Sequence, residues 1–530
     1  MTSGFQAMPG YATRWKGLIF IGISLLVVSL DNTILNIALP SLSRDLNASI
    51  SDLQWIVDAY TLVFAALLLT MGSISDRIGR KKALQIGLVM FAIGSLSAVF
   101  STSTAALILT RGFLGIAGAF IMPSTLSIIN VSFPTKERAQ AIAIWSAIFG
   151  LGIAIGPLLG GALLKIYSWH ILFLINLPVI AIALIGGQRF LAESRDESVP
   201  ALDIPGVIFS STGLFALIYG IIEAGSKGWG DPSVLAIFGL AFVLLAIFVW
   251  VERRASEPMM PLYLFKNLSF SGASVALALV LFSMAGSLFF LSQYMQTILG
   301  YDTLQAGLGT LPIAFGLILV APLSAPVSKR IGIKLTVAIG IGVAAFSLFY
   351  MGSTYQANTP YISIAIGQII LAAGLGLAMA PATNSIMSAI PANKSGVGSA
   401  MNDTTRELGT ALGVAVLGTF MNNAYISGVQ SLKTAIPALP KEAMDAISSS
   451  IQAAHAVATD ARVPKAIGDI IINTANKAFV DGMTHAMIIG SVIMAVSVVF
   501  VLIVLPSRTK EESPAEEPPL ELASAPAVGD

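Results

Sequence analysis

The chain has 530 residues, 55% of them hydrophobic and only 11% charged, with a mean hydropathy of +0.84. Soluble domains carry about 25% charged residues, so this composition excludes a water-soluble globular protein and points to an integral membrane one. A net charge of +1 gives no reason to expect a nucleic-acid partner, and the absence of cysteine excludes disulfides, thiolate metal sites and cysteine nucleophiles.

A membrane-spanning helix needs about 20 mostly apolar residues. Fourteen such runs follow one another: 18–39, 54–74, 83–101, 105–131, 138–164, 170–188, 205–224, 233–251, 269–293, 305–327, 334–352, 360–389, 397–421 and 482–505. The first follows Arg14 and Lys16 and is too long for a signal-peptide core, so it is expected to remain as a span. Many of the 48 glycines lie inside these runs, where small residues let helices approach closely. With a cytoplasmic N-terminus, nineteen Lys and Arg residues fall on the inside and three, Arg44, Lys165 and Lys227, in short outside loops. That asymmetry places both termini in the cytoplasm. Residues 422–481 form a long outside loop, in which Ala443–Val457 reads as an amphipathic helix capping the outer face. Residues 506–530, rich in Pro, Glu and Ala, read as a disordered tail.

An internal repeat organises the spans. Residues 72–87 align with 325–340: Ser75, Arg77, Ile78, Gly79, Lys81, Ile86 and Gly87 match Ser328, Arg330, Ile331, Gly332, Lys334, Ile339 and Gly340. One copy joins spans 2 and 3, the other spans 10 and 11. The expected organisation is a short N-terminal segment (1–17), a six-helix bundle (18–188), a linker with two extra spans (189–268), and a second six-helix bundle (269–505) before the tail. Parallel repeats of this kind are a transporter signature.

Charges inside spans are costly and mark function by default. Asp31 lies thirteen residues into the first span, roughly 20 Å from its start, with Asn32, Thr33 and Asn36 around it. Asp58 lies about one turn into span 2; an acid near the outer water is the competing reading. Asp403 and Glu407 are four apart and share one face of span 13, near mid-depth. Two such acids can hold a proton or exchange it for a cation. Arg406 lies between them in sequence; consecutive helical positions point different ways, so it need not neutralise them, and an ion cluster of purely structural purpose, reached through another geometry, is the alternative. A substrate pocket is expected between the two bundles near the midplane, with Asn36, Trp145, Phe149, Phe290 and Tyr294 among the candidate lining residues, since aromatic faces attract quaternary cations.

Several motifs carry a family resemblance. Gly72 to Lys82 (GSISDRIGRKK) resembles the signature loop of the major facilitator superfamily, Leu107 to Gly115 its span 4 motif with a buried arginine, and Gly152 to Gly161 (GIAIGPLLGG) the antiporter motif of span 5. Leu30 to Pro40 resembles the span 1 motif of the fourteen-span drug:proton antiporters, and the pattern of Asp31, Asp58, Asp403 and Glu407 is similar to that of quaternary-ammonium multidrug efflux pumps. The likeness covers nearly all of 14–505. It implies an all-α integral membrane protein of the major facilitator fold, two six-helix bundles plus two inserted helices. It further implies that Gly72, Asp76, Arg77, Gly79 and Arg80 form a gating latch, working with Arg111 or a facing helix. Arg111 would share in proton coupling close to Asp31. Gly152, Gly156, Pro157, Gly160 and Gly161 would set the direction of antiport. The sequence departs from the pattern at Trp169-His170-Ile171, and Lys329 stands where the first loop copy has Asp76.

The implied function is export of lipophilic cationic drugs against protons, by a multi-pass monomer in the cell membrane, driven by the proton gradient without cofactor or metal. An exporter of one metabolite, amino acid or lipid on the same fold is the alternative. A scaffold or enzyme is a third, disfavoured because no nucleotide loop, metal-binding helix motif or catalytic cysteine occurs.

Overall fold

A computed structural model describes residues 10–46, 48, 50–195, 203–255, 258, 260, 262–437 and 439–506. Among them are fourteen helices long and apolar enough to cross a membrane. We number the long helices α1 (Arg14–Leu46), α2 (Ile50–Ile78), α3 (Arg80–Val99), α4 (Thr104–Ser132), α5 (Thr135–Leu164), α6 (Asn176–Phe190) and α7 (Ile204–Lys227). They continue as α8 (Pro232–Glu252), α9 (Leu268–Gln293), α10 (Leu311–Ile331), α11 (Ile333–Thr354), α12 (Tyr361–Ser388), α13 (Ser395–Val429) and α14 (Lys465–Val504). One-turn or two-turn helices, Ile171–Leu174 and Thr303–Gly309, precede α6 and α10.

The helix partners repeat with an offset of eight. In the first half α1 packs on α5, α2 on α4 and α3 on α4; in the second, α9 packs on α13, α10 on α12 and α11 on α12. Across the halves the pairs α2–α13 and α5–α10 correspond in the same way. The repeated loops fold alike. Gly79 and Gly332 both take positive φ, 107° and 85°, and their N–H groups donate to the carbonyls of Ser75 and Ser328 at 3.1 and 2.9 Å. A residue with a Cβ is strained there, which is why the turn keeps glycine in both copies. The buried apolar side chains form two large clusters, one drawn mainly from each half. Helices α7 and α8 pair with each other, and α7 lies against α2 and α13. Leu240, Phe242 and Trp250 of α8 point outward, as expected of a helix facing lipid.

The region beyond span 13 differs from the expectation. Most of 422–481 is helical: α13 runs on to Val429 and α14 begins at Lys465, so both project past the apolar windows. Tyr425, Val429, Ile471 and Ala475 are buried along these extensions, which hold their own packing once the uniform apolar run ends. The single amphipathic helix expected at 443–457 is two, Lys441–Ser449 and Ile451–Ala458. Ser450 is extended (φ −168°, ψ 159°), and its hydroxyl accepts from the Ala453 N–H, so it breaks one helix by capping the next. The tail from 507 lies outside the described residues, as do 1–9 of the N-terminal segment and 196–202 of the linker.

Candidate functional site

Asp31 is the hub of the first half. It is 1% exposed, and its Oδ2 is paired with the Arg111 guanidinium, itself 1% exposed. The other oxygen accepts from Asn176 Nδ2 at 3.3 Å, and the same amide nitrogen lies 3.2 Å from Ser95 Oγ. Arg111 Nε donates to the Ile56 carbonyl at 3.1 Å, and its guanidinium carbon lies 4.5 Å from the Tyr60 ring centroid. Five helices therefore meet at one carboxylate: α1, α2, α3, α4 and α6. Asn176 has no counterpart among the sequence candidates. Its signal was present, an amide inside an apolar span, but nothing local ties it to Asp31, 145 residues away. Asp31 and Arg111 thus form an ion pair closed off from solvent on both sides.

The glycines of α5 bring this turn of α1 into position. A Cβ on Gly152 would meet Ser29 Oγ at 1.9 Å, and one on Gly156 would meet Thr33 Oγ1 at 2.0 Å. Ser29 and Thr33 each lie two residues from Asp31, so the two glycines seat α5 against its turn. Pro157 is inside α5, and Gly160 and Gly161 are buried toward its far end. The backbone of Pro157 and Leu158 touches Gly307 of the second half.

A second cluster lies where the halves meet. Trp145 and Phe149 of α5 stack with ring centroids 6.4 Å apart and planes 15° from parallel. Trp145 Nε1 donates to Thr125 Oγ1 at 3.1 Å, which fixes the indole. Arg406 of α13 reaches across and puts its guanidinium carbon 3.8 Å from the Phe149 centroid and 5.0 Å from that of Trp145. Asp403 is 1% exposed and accepts from Asn402 Nδ2 at 3.2 Å through one oxygen; the other has no hydrogen-bond partner. Glu407 is half-buried and within electrostatic range of both Arg406 and Asp403. The phenol of Tyr60 is within electrostatic range of Asp31, Arg111 and Glu407, so it stands between the two clusters.

A third cluster closes the face that carries the chain termini. Asp76 of α2 accepts from the backbone N–H of Gly396 at 2.8 Å and of Val397 at 3.2 Å, at the start of α13. It also pairs with Arg80, whose Nε donates to it at 2.8 Å and whose Nη2 donates to the Asn393 carbonyl at 3.0 Å. A carboxylate at a helix N-terminus is favoured by the helix dipole and by charge-assisted bonds. Gly72 and Gly396 touch through their backbones: a Cβ on either would come within 2.5 Å of the other's carbonyl oxygen. Asn130 Nδ2 adds a bond to Ser395 Oγ at 2.6 Å. These contacts run to the start of the facing helix α13, whereas Arg111 is paired with Asp31. Arg77 is half-buried beside it.

Asp58, Phe290 and Tyr294 lie apart from these clusters. Asp58 is half-buried and within electrostatic range of Glu223 on α7, which pairs with Lys227 at 2.6 Å, so its acidic neighbour is on an inserted helix. Phe290 and Tyr294 are fully buried in the core of the second half. The Tyr294 hydroxyl donates to the Gln356 carbonyl and its ring stacks on Tyr355. The side chain of Asn36 is outside the described set.

A family model described as Major Facilitator Superfamily matches residues 21–414. The chain is 32% identical to the tetracenomycin C resistance and export protein of Streptomyces glaucescens, over 97% of this chain and 95% of that protein. It is 34% identical to the multidrug efflux pump LfrA of Mycolicibacterium smegmatis, over 91% and 94% of the two chains. The methyl viologen resistance protein SmvA of Salmonella typhimurium is 29% identical, over 90% and 95%. Among solved structures, a bacterial homologue of the human lysosomal transporter Spinster, in an inward-facing and unoccupied conformation, shares the fold with a TM-score of 0.57 at 18% identity, covering 92% of this chain and 98% of that one.

Proposed function

The chain belongs to the Major Facilitator Superfamily, and from that premise we propose that it is a proton-coupled antiporter that expels lipophilic cations, quaternary ammonium compounds and cationic dyes among them. The observation that carries this reading is the seam between the halves: α13 carries two carboxylates, Asp403 and Glu407, and meets a stacked aromatic pair of the other half through Arg406. Carboxylates in a low-dielectric seam bind either a proton or a cation, and aromatic faces attract cations, quaternary ammonium groups among them. The relatives named for resistance to tetracenomycin C, to methyl viologen and to multiple drugs support export of foreign compounds.

The route is alternating access. The latch at Asp76, Gly72 and Gly396 holds shut the face where α1 begins and α14 ends, and the excess of Lys and Arg on that side supports a cytoplasmic placement. The Asp31–Arg111 pair supplies the coupling step: a proton taken from outside neutralises Asp31, loosens Arg111 and lets the five helices around it shift. No cofactor enters the cycle, and a monomer contains every part of it.

Everted membrane vesicles test the reading. With an acidic lumen, tetraphenylphosphonium should concentrate inside vesicles that contain the protein and leak out once nigericin collapses the gradient. Uptake that equilibrates without concentrating would mark a passive pore, and selective export of a neutral or anionic solute would move the assignment to a different substrate class.

A further inference from the structure

We propose that Arg406 is a tethered stand-in for the transported cation. It fills the aromatic and carboxylate box that a lipophilic cation occupies during transport, and the substrate enters by displacing it. The proposal rests on the exporter reading above and names the device at its seam.

The two buried arginines of the transport path both lie over an aromatic ring but differ in what their N–H groups do. Arg111 uses its N–H groups: one binds Asp31 and another the Ile56 carbonyl. Arg406 is just as enclosed, at 2% exposure, yet neither terminal nitrogen has a hydrogen-bond partner. Asp403, one turn away on the same helix, keeps an oxygen without a partner as well. A guanidinium kept for structure offers its planar fork to a carboxylate or to carbonyls, because buried donors left unpaired are costly. Here the fork goes unused and the flat face is used instead, 3.8 Å from Phe149 and 5.0 Å from Trp145. Binding by the face is the chemistry that recognises a delocalised or quaternary cation. Guanidinium is itself planar, delocalised and weakly hydrated, so it imitates such a ligand.

The location gives the contact a consequence. The aromatic pair belongs to the first half and Arg406 to the second, so the cation joins the halves. A substrate that takes the rings frees Arg406 and removes this tie. It also brings its own charge to Asp403 and Glu407. Thr125 keeps the indole in place during the exchange, since its bond to Trp145 does not involve Arg406.

Equilibrium binding of tetraphenylphosphonium to purified full-length protein tests this. Arg406→Gln removes the competitor and one positive charge beside the two acids, and should tighten Kd about tenfold or more. Arg406→Lys, still a cation, should stay nearer the parent value. Binding by Arg406→Gln that equals or falls below the parent, in a protein with unchanged melting temperature, overturns the proposal. A parent that binds no lipophilic cation removes the exporter reading and this inference with it. Should Arg406→Gln fail to fold, the parent alone suffices. Phenylglyoxal labelling of Arg406, read by peptide mass spectrometry, should rise when tetraphenylphosphonium is bound, and unchanged protection overturns the proposal.

Discussion

Asp31→Asn should give a folded protein that binds lipophilic cations and no longer concentrates them. The substitution keeps the shape of the side chain and a carbonyl oxygen for Arg111, while Arg111 retains the Ile56 carbonyl and the Tyr60 face. What disappears is the ability of this carboxylate to pass on the proton that Asp403 and Glu407 exchange for the cation. Exchange of one proton for one monovalent cation is electroneutral, so the pH gradient alone drives it. Each pH unit is worth about 1.36 kcal/mol, or about a tenfold concentration ratio. In vesicles with a gradient of one unit, the parent should approach that ratio and Asp31→Asn should stay near equality. Asp31→Ala is a harsher change. It leaves Arg111 buried without its counter-charge, and removing one member of a buried pair costs about 3–5 kcal/mol, so this variant should lose thermal stability as well as transport. Parent-like accumulation by Asp31→Asn would show that the coupling proton is carried elsewhere.

Gly396→Val should hold the protein open on the face that carries the termini. A Cβ at Gly396 would fall 2.3 Å from the Gly72 carbonyl oxygen and 2.7 Å from Asp76 Cγ, so the halves could not close as they do here. Two effects add. Overpacking a tight contact costs about 1–3 kcal/mol, and each charge-assisted bond lost from Asp76 to the start of α13 costs about 1.5–3 kcal/mol. Their sum approaches the roughly 5.5 kcal/mol that inverts a two-state population from 1:99 to 99:1. The chain contains no cysteine, so a single introduced thiol reports without background. Ser127 is fully buried on α4, three residues from Asn130 and its bond to the second half. In a Ser127→Cys background the thiol should resist maleimide, and adding Gly396→Val should make it react quickly. Continued protection would mean that this glycine contact does not govern closure.

Much of this architecture is legible in the sequence, and the reasons are physical. Hydrophobic length reports each span because lipid leaves the backbone no alternative to helix. The repeat is legible because the turns at Gly79 and Gly332 each need positive φ, a demand that preserves residue identity. Asp31, Asp403 and Glu407 stand out because a charge inside an apolar run has no local reason to be there. Pairings between distant helices leave no comparable trace. Asn176 reaches Asp31, and Arg406 reaches Phe149, across separations that no periodicity connects. Helix geometry alone puts Arg406 one turn from Asp403, and it gives no sign that the guanidinium lies over rings of the other half. The position of Asp58 one turn into span 2 gives no sign of its acidic neighbour, Glu223, which belongs to an inserted helix that the two-half comparison leaves out. The break at Ser450 was hidden by an amphipathic pattern that continues across it.

Proton release on substrate binding tests the central claim most directly. Purified protein in a weakly buffered detergent solution is mixed with saturating tetraphenylphosphonium while a pH indicator is followed. Exchange of a cation for a proton at the seam predicts about one proton released per cation bound, and no release from the Asp403→Asn/Glu407→Gln double variant. Tight binding by the parent with no change in pH would contradict proton-for-cation exchange at these carboxylates.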